Sequence, residues 1–445
     1  MRCPVEKRID ILIRGGTAVT LSERGNIIED AEIGIGNGEI LFIRRGSSKD
    51  PLPESVEIID GSGRYILPGL VNTHCHMPMV CFRGLADDLP LDEWLSGHIF
   101  PAEARFVDPA FCAAGARLAI AELILSGTTT VCDSYFIPGA VASVALDAGM
   151  RAVICAGFAD FSVPGIPDPA KNENIAENFI DRWKGSSQLL TPALFCHAPY
   201  TCSPKTMSKI KAVAGRRGVL FLTHLAETRW EVDEINRRYG TTPLRHLDRL
   251  GVLDGATILV HCTWLDDKEL DILAERRCAV SHNPESNMKL AAGVAPLPAM
   301  RSRGIVIGLG TDGAASNNDL DLFCEMRTAV GIHRHASRNR DVMDARSALR
   351  MATIEGARVL GLEDKIGSLE EGKRADIILV DREKPRMAIA GDPCELLLWS
   401  ASGADVSTVL IDGKIVVRER KLTTIDAQRA MEEVRNIAEA IGERN

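Results

Sequence analysis

Six histidines and one aspartate recur at the same kind of place in this sequence, the end of a short apolar run. His74 and His76 close GLVNTHCH, His197 follows PALFC, His224 ends VLFLTH, His261 ends TILVH, His282 ends CAVSH and Asp312 follows VIGLGT. His74 and His76 are two positions apart. Side chains alternate along a strand, so both imidazoles point the same way, as two ligands of one metal ion require. Alone, H-x-H at a strand end reads equally well as a polar turn. Joined by His224 and Asp312 it becomes a set of three imidazoles and one carboxylate. That nitrogen and oxygen set suits Zn2+, with Fe2+ and Mn2+ as alternatives. Glu227, three residues after His224 in THLAE, is a general acid/base candidate close to the metal but not bound to it. Its bland reading is a glutamate favoured by the dipole of a first helical turn. Asp312 stands in T-D-G, by itself an ordinary turn. His261 is either a core histidine or a group oriented toward a reacting water, and His282 reads as structural or outer-shell. His98, His246, His333 and His335 lie in helix-like segments and carry no functional expectation.

For such scattered residues to meet, the elements that carry them must end on one face. Between about Leu67 and Leu362, eight β runs alternate with helical patterns: GLVNTHCH, TTTVCDSYF, RAVICAGF, PALFCHAPY, VLFLTHLAE, TILVHCTWL, CAVSHNP and VIGLGTDG. The helical stretch PAFCAAGARLAIAELILSG ends on Gly127, a C-terminal stop. This alternation predicts a parallel (β/α)8 barrel of the TIM type, whose active sites gather where the strands end. An open doubly wound sheet is the rival. Its one signal, GLGTDG, has dinucleotide-loop spacing, but Asp312 inside the loop would repel a pyrophosphate. The N-terminal ILIRGG and AEIGIGNGEILFI and the C-terminal ADIILVD and VSTVLIDGKIVV are strand-rich, with Asp412-Gly413 as a hairpin signal. They predict a small β-sandwich built from both chain ends. The expected division is 1–66, the first part of the β domain; 67–362, the metal-dependent barrel; and 363–445, the rest of the β domain with a terminal helix from about Asp426.

Composition narrows the function classes. A net charge of -9 and a pI of about 5.7 argue against nucleic acid or an anionic membrane as partner. Twelve cysteines are scattered without any C-x-x-C pair, which disfavours a thiolate zinc site and fits a reducing compartment. No apolar run has the length of a signal peptide or a membrane span. The expected location is the cytoplasm.

At this point the residues resemble the amidohydrolase superfamily, and in particular its methylthioadenosine/S-adenosylhomocysteine deaminase branch. The resemblance runs through LPGLVNTHCHMPM, RGLADDLPLDEWL, HAPYTCSP, THLAET, VHCTWL, SHNPESNMKLAAGVAPL, GLGTDGAASNNDLDLFCEMR and GSLEEGKRADIILVD. It implies ligands His74, His76, His224 and Asp312 for one divalent metal ion, foremost Zn2+. It implies Glu227, His261 and Asp312 as catalytic groups and His197 as a substrate contact. Glu93, in DEWL, resembles the carboxylate that binds both ribose hydroxyls. His197 stands where binuclear relatives carry a bridging lysine, hence one metal. The implied reaction is hydrolytic deamination of an adenine nucleoside (5′-methylthioadenosine, S-adenosylhomocysteine, adenosine or 5′-deoxyadenosine) to the inosine analogue and ammonia. The expected partner is thus a small nucleoside, and a homo-oligomer is left open. Rivals are another N-heterocycle (guanine, a pterin, an s-triazine) and a non-catalytic scaffold, though scaffolds typically lose ligands. Arginines expected for a homocysteine carboxylate are missing from AVICAGFADFSVPGIPDPAKNENIAEN. Ala156 and Asn174 stand in their place and Lys171 is the one basic residue. The expectation is a preference for 5′-methylthioadenosine, 5′-deoxyadenosine or adenosine over S-adenosylhomocysteine.

Overall fold

A computed structural model describes residues 8–46 and 55–442. Eight parallel strands follow one another in chain order: β1 (Leu70–Cys75), β2 (Thr128–Tyr135), β3 (Arg151–Phe158), β4 (Leu190–Cys196), β5 (Phe221–Leu225), β6 (Thr257–His261), β7 (Ala279–His282) and β8 (Ile307–Leu309). Each pairs in parallel with the next. The ring closes between its last and first members. Thr73 Oγ1 donates to the Leu309 carbonyl (2.9 Å), and the Asp312 amide donates to the His74 carbonyl (3.1 Å). This is the predicted (β/α)8 barrel. Every residue of β1, β2 and β3 is buried, as expected for a parallel sheet covered on both faces. The end away from the histidines is plugged by Val71, Cys132, Val153 and Ile258 against Val359 and Ile366.

The alanine-rich helix spans Pro109–Leu125. The Asp108 carboxylate caps it by accepting the Phe111 amide (2.8 Å), and Gly127, at φ +93°, turns the chain out of it. The terminal helix, Ala427–Gly442, lies against it, and an Arg117–Glu433 ion pair joins the two.

Both chain ends build the flanking sandwich. Strand Arg64–Pro68 pairs antiparallel with Ile377–Asp381, placing N- and C-terminal strands in one seven-stranded sheet. A four-stranded sheet made of Ile9–Arg14, Ala31–Gly36, Glu39–Arg45 and Ser55–Asp60 faces it. Ile11, Ile13 and Ile33 of the smaller sheet meet Ile66, Ile377 and Leu379 of the larger. The Asp412-Gly413 hairpin forms with both residues at positive φ, +55° and +74°, the geometry that suits a two-residue turn. Arg151, the first residue of β3, ties barrel to sandwich. Its Nε and Nη2 meet the two carboxylate oxygens of Asp376 at 2.7 and 2.9 Å, and both side chains are buried. Between the last sandwich strands, helix Pro393–Trp399 returns to pack on helices Leu322–Ser337 and Ala345–Met351. Among the described residues, no helix is long and apolar enough to cross a membrane.

Candidate metal centre

At the C-terminal rim of the barrel, β1 delivers His74 and His76, β5 delivers His224, and the turn after β8 delivers Asp312. His74 Nε2 lies 3.2 Å from His76 Nε2 and 3.2 Å from His224 Nε2. Asp312 Oδ1 lies 3.5 Å from His74 Nε2 and 3.3 Å from His76 Nε2. The four donor atoms all fall within 4.8 Å of one another, and all four residues are buried. Nitrogens and an oxygen crowded this closely around one point fit a divalent cation of the Zn2+ type.

Hydrogen bonds orient two of the four candidate ligands, His76 and Asp312. His76 Nδ1 donates to the Ser134 carbonyl (2.5 Å), leaving Nε2 with its lone pair toward the cluster. Ser286 and Ser316 hydroxyls donate to Asp312 Oδ2 at 2.7 and 2.9 Å, so Oδ1 is the free oxygen. Asp312 itself stands at φ +59°, a strained conformation for a side chain of its kind and common at functional sites. Burial pushes His74 down to about 4 and His224 well below the usual imidazole range. Both are therefore neutral, the form that binds metal. Burial alone would raise Asp312, but the close imidazoles of His74 and His76 outweigh it and hold the carboxyl well below its usual range.

A second trio sits beside the first. Donor atoms of Glu227, His261 and Asp312 also lie within 4.8 Å of one another, and Glu227 Oε2 is 3.6 Å from His261 Nε2. Burial, reinforced by the Asp312 and Glu231 carboxylates, pushes Glu227 well above the usual range, which favours its protonated form. Asn287 Nδ2 donates to His261 Nδ1 (2.9 Å), which places the ring proton on Nε2, the nitrogen that faces Glu227. Glu231 fixes the loop after β5: its two carboxylate oxygens accept the amides of Ala226 (2.9 Å) and Glu227 (3.0 Å). Ala226 stands at φ +49° there.

A profile of the amidohydrolase family matches residues 65–416. The chain belongs to that family. It is 42% identical over 434 residues to a 5-methylthioadenosine/S-adenosylhomocysteine deaminase of Syntrophobacter fumaroxidans, covering 98% of this chain and 99% of that one. It is 43% identical over 376 residues to a 5′-deoxyadenosine deaminase of Methanothermobacter thermautotrophicus, covering 84% and 87%. A solved adenosine deaminase from Xanthomonas campestris with bound zinc superposes with a TM-score of 0.96 at 35% identity, covering 98% of this chain and 99% of that one.

In this amidohydrolase the rim opens into a cavity lined by His76, His197, His224, Glu227, His261 and Asp312 on its polar side. Its walls include Trp94, Phe100, Phe136, Phe158, Tyr200 and Leu290. His197 reaches the cavity with Nδ1 held against Thr201 Oγ1 at 2.9 Å. Burial and the surrounding imidazoles push it down to about 3, so it too is neutral. His282 faces away from the cluster and meets His333 Nε2 to Nε2 at 3.0 Å, a structural pair between β7 and helix Leu322–Ser337.

Glu93 does not reach this cavity. The helical turn Leu91–Trp94 buries Trp94 and leaves Glu93 exposed on an adjoining depression with Tyr200, Thr201 and Trp230. Besides Glu227 and Asp312, the cavity is lined by a third carboxylate that sequence reasoning missed, Glu103, 5% exposed. Its signal was legible: on helix Phe100–Phe106 and the turn before it, Glu103 follows Ile99 by four positions and precedes Phe106 by three. It thus sits in an apolar stripe, where a glutamate needs a reason. Burial pushes Glu103 up to about 7, against the hydrogen bond it accepts from the Tyr135 hydroxyl (2.7 Å). Lys171 and Asn174 are exposed and outside the cavity, while Ala156 is buried within β3.

Proposed function

We propose that this protein is a metal-dependent hydrolytic deaminase of adenine nucleosides, yielding the 6-oxo purine nucleoside and ammonia. The observation that carries the reading is the convergence of four buried donor atoms beside the buried carboxyl of Glu227, in a largely apolar cavity that also carries Glu103. The relatives and the solved neighbour whose names specify deamination of adenine nucleosides support it.

We assign one divalent ion, foremost Zn2+, to His74, His76, His224 and Asp312; when bound, it supplies a water acidic enough to be deprotonated near neutral pH. His197 stands at the end of β4, where a second ion would need a bridging group. Asp312 accepts the proton of the attacking water. Glu227 donates its proton to ring N1, which makes C6 electrophilic. His261 Nε2–H donates to the oxygen that adds at C6 and steadies the charge developing there. Asp312 returns the water proton to the exocyclic nitrogen, the C6–N bond breaks as the added hydroxyl gives its proton back to Glu227, and ammonia leaves the 6-oxo purine. Glu103, in place of Glu93, accepts from the ribose hydroxyls with the oxygen that Tyr135 does not occupy. His197 contacts the substrate from the opposite wall. Residues 67–362 are the catalytic unit in this reading, with 1–66 and 363–445 as its flanking sandwich and terminal helix.

Among the described residues that line the cavity there is no Lys or Arg, and the ionisable groups besides histidine and tyrosine are Glu103, Glu227 and Asp312. A homocysteine carboxylate would be buried here without a cation, a costly placement, whereas a methylthio or methyl group suits the aromatic wall. We therefore assign the preference to 5′-methylthioadenosine, 5′-deoxyadenosine or adenosine over S-adenosylhomocysteine. The test is kcat/KM for these four nucleosides and for guanine, a pterin and an s-triazine, read by ammonia release. Turnover confined to the free heterocycles would overturn the nucleoside reading. Preference for S-adenosylhomocysteine would overturn the 5′ assignment alone.

A further inference from the structure

The end of β2 serves two parts of the cavity at adjacent residues. Ser134 offers its carbonyl to His76 Nδ1 (2.5 Å), and Tyr135 donates its hydroxyl to Glu103 Oε1 (2.7 Å). One contact orients a metal ligand. The other anchors the carboxylate at the wall. Glu103 belongs to helix Phe100–Phe106, which comes from the long connection over the barrel mouth, whereas Tyr135 is part of the barrel. A glutamate side chain on such a helix has several rotamers to choose from, and a hydrogen bond from a barrel residue selects one. Both partners are nearly buried, Tyr135 at 4% and Glu103 at 5%, and both line the cavity. Because Oε1 is taken by the phenol, Oε2 is the oxygen left for a ligand.

We infer that Tyr135 is a positioning residue for nucleoside recognition. Through Glu103, and from the same strand end that orients His76, it sets the distance between the group that grips the sugar hydroxyls and the place where the ring is attacked. The inference rests on the nucleoside reading above. On this inference the hydroxyl is what matters: phenylalanine would keep the ring contact with Phe136 (centroids 5.2 Å apart) but release the carboxylate.

The test is Tyr135→Phe, with metal content and thermal melting measured alongside kinetics. The expected result is a KM for adenosine and 5′-methylthioadenosine raised about 10-fold or more, since the lost bond is to a charged group, with kcat changed by less than about 3-fold. The KM for 2′-deoxyadenosine, which lacks half of the diol, changes far less, so the ribose preference shrinks. In a Glu103→Ala background, Tyr135→Phe has no further effect, because residues acting through one another are non-additive. Equal KM losses on ribose and 2′-deoxyribose substrates, or full additivity with Glu103→Ala, would overturn the inference while leaving the nucleoside reading intact. Absence of ammonia release from every adenine nucleoside by the unmodified enzyme would overturn both.

Discussion

At the scale of single residues, substitution separates the roles proposed for the two clusters. His76→Ala removes one of four converging donors and should leave the purified protein with far less than one equivalent of metal and background turnover. Full metal occupancy with normal rates would dismiss the ligand assignment. Glu227 lies outside that donor set, so Glu227→Gln should keep the metal and lose about 10²–10⁴-fold in kcat, the range of one general acid/base. Elemental analysis and kcat on the same preparation check this. For Glu103, loss of charge-assisted bonds worth about 1.5–3 kcal/mol each predicts that Glu103→Ala raises KM for ribonucleosides at least tenfold (roughly), while Glu93→Ala leaves them unchanged. Burial lifts Glu103 to about 7, above an ordinary glutamate. The carboxylate thus dominates only above that pH and gains a proton below it. A carboxylate accepts from a diol better than a carboxylic acid does, so kcat/KM for ribosides should fall as pH drops through 7. This acid limb should be weaker for 2′-deoxyadenosine and absent in Glu103→Gln, and a riboside profile that is unchanged in that variant would refute it.

At the scale of elements, the chemistry depends on how strands end. The loop after β5 turns through Ala226 at φ +49°, and β6 ends through His261 at +72°. Glu231, on the first turn of helix Arg229–Tyr239, pins the first of these loops by accepting both of its amides. Glu231→Ala strands two buried N–H groups at about 1–3 kcal/mol each. It should lower melting temperature and kcat together while the metal stays bound, and a variant that melts and turns over normally would show that the loop holds itself. The barrel strands were readable because each is a short apolar run bounded by turn residues, and the clustering of His74, His76, His224 and Asp312 followed once strand ends were taken to share a face. The length of β8 was not readable. VIGLGTDG looks like one long run, yet only Ile307–Leu309 pairs as strand, and the chain then turns at Asp312, which stands at φ +59°. Glu93 and Glu103 show the other limit. Both stand on a helical connection whose seating over the barrel mouth depends on tertiary packing, and burial of Trp94 and Ile99 decides which carboxylate faces inward.

At the scale of the whole molecule, barrel and sandwich are joined by a buried bidentate ion pair, Arg151 to Asp376. Asp376 is 3% exposed, so Arg151→Ala leaves a carboxylate without its cation in a water-poor place. That should cost about 3–5 kcal/mol, measured by denaturant unfolding, with metal content and low-temperature KM retained because the pair lies at the opposite end of the barrel from the rim. An unfolding free energy within about 1 kcal/mol of the native value would show that the other contacts between the two bodies hold them together without this pair.

The pairing of Arg64–Pro68 with Ile377–Asp381 also has a consequence for biosynthesis. The two strands lie roughly 300 residues apart, and at 5–20 residues per second a ribosome takes roughly 15–60 s to make the second after the first. During that interval the strand carrying Ile66 and Leu67, both fully buried in the finished protein, presents an open edge to the crowded cell. Slower translation should therefore lower the yield of active enzyme, and a circular permutant opened within the barrel, which shortens the stretch of chain between the two strands, should lessen that loss.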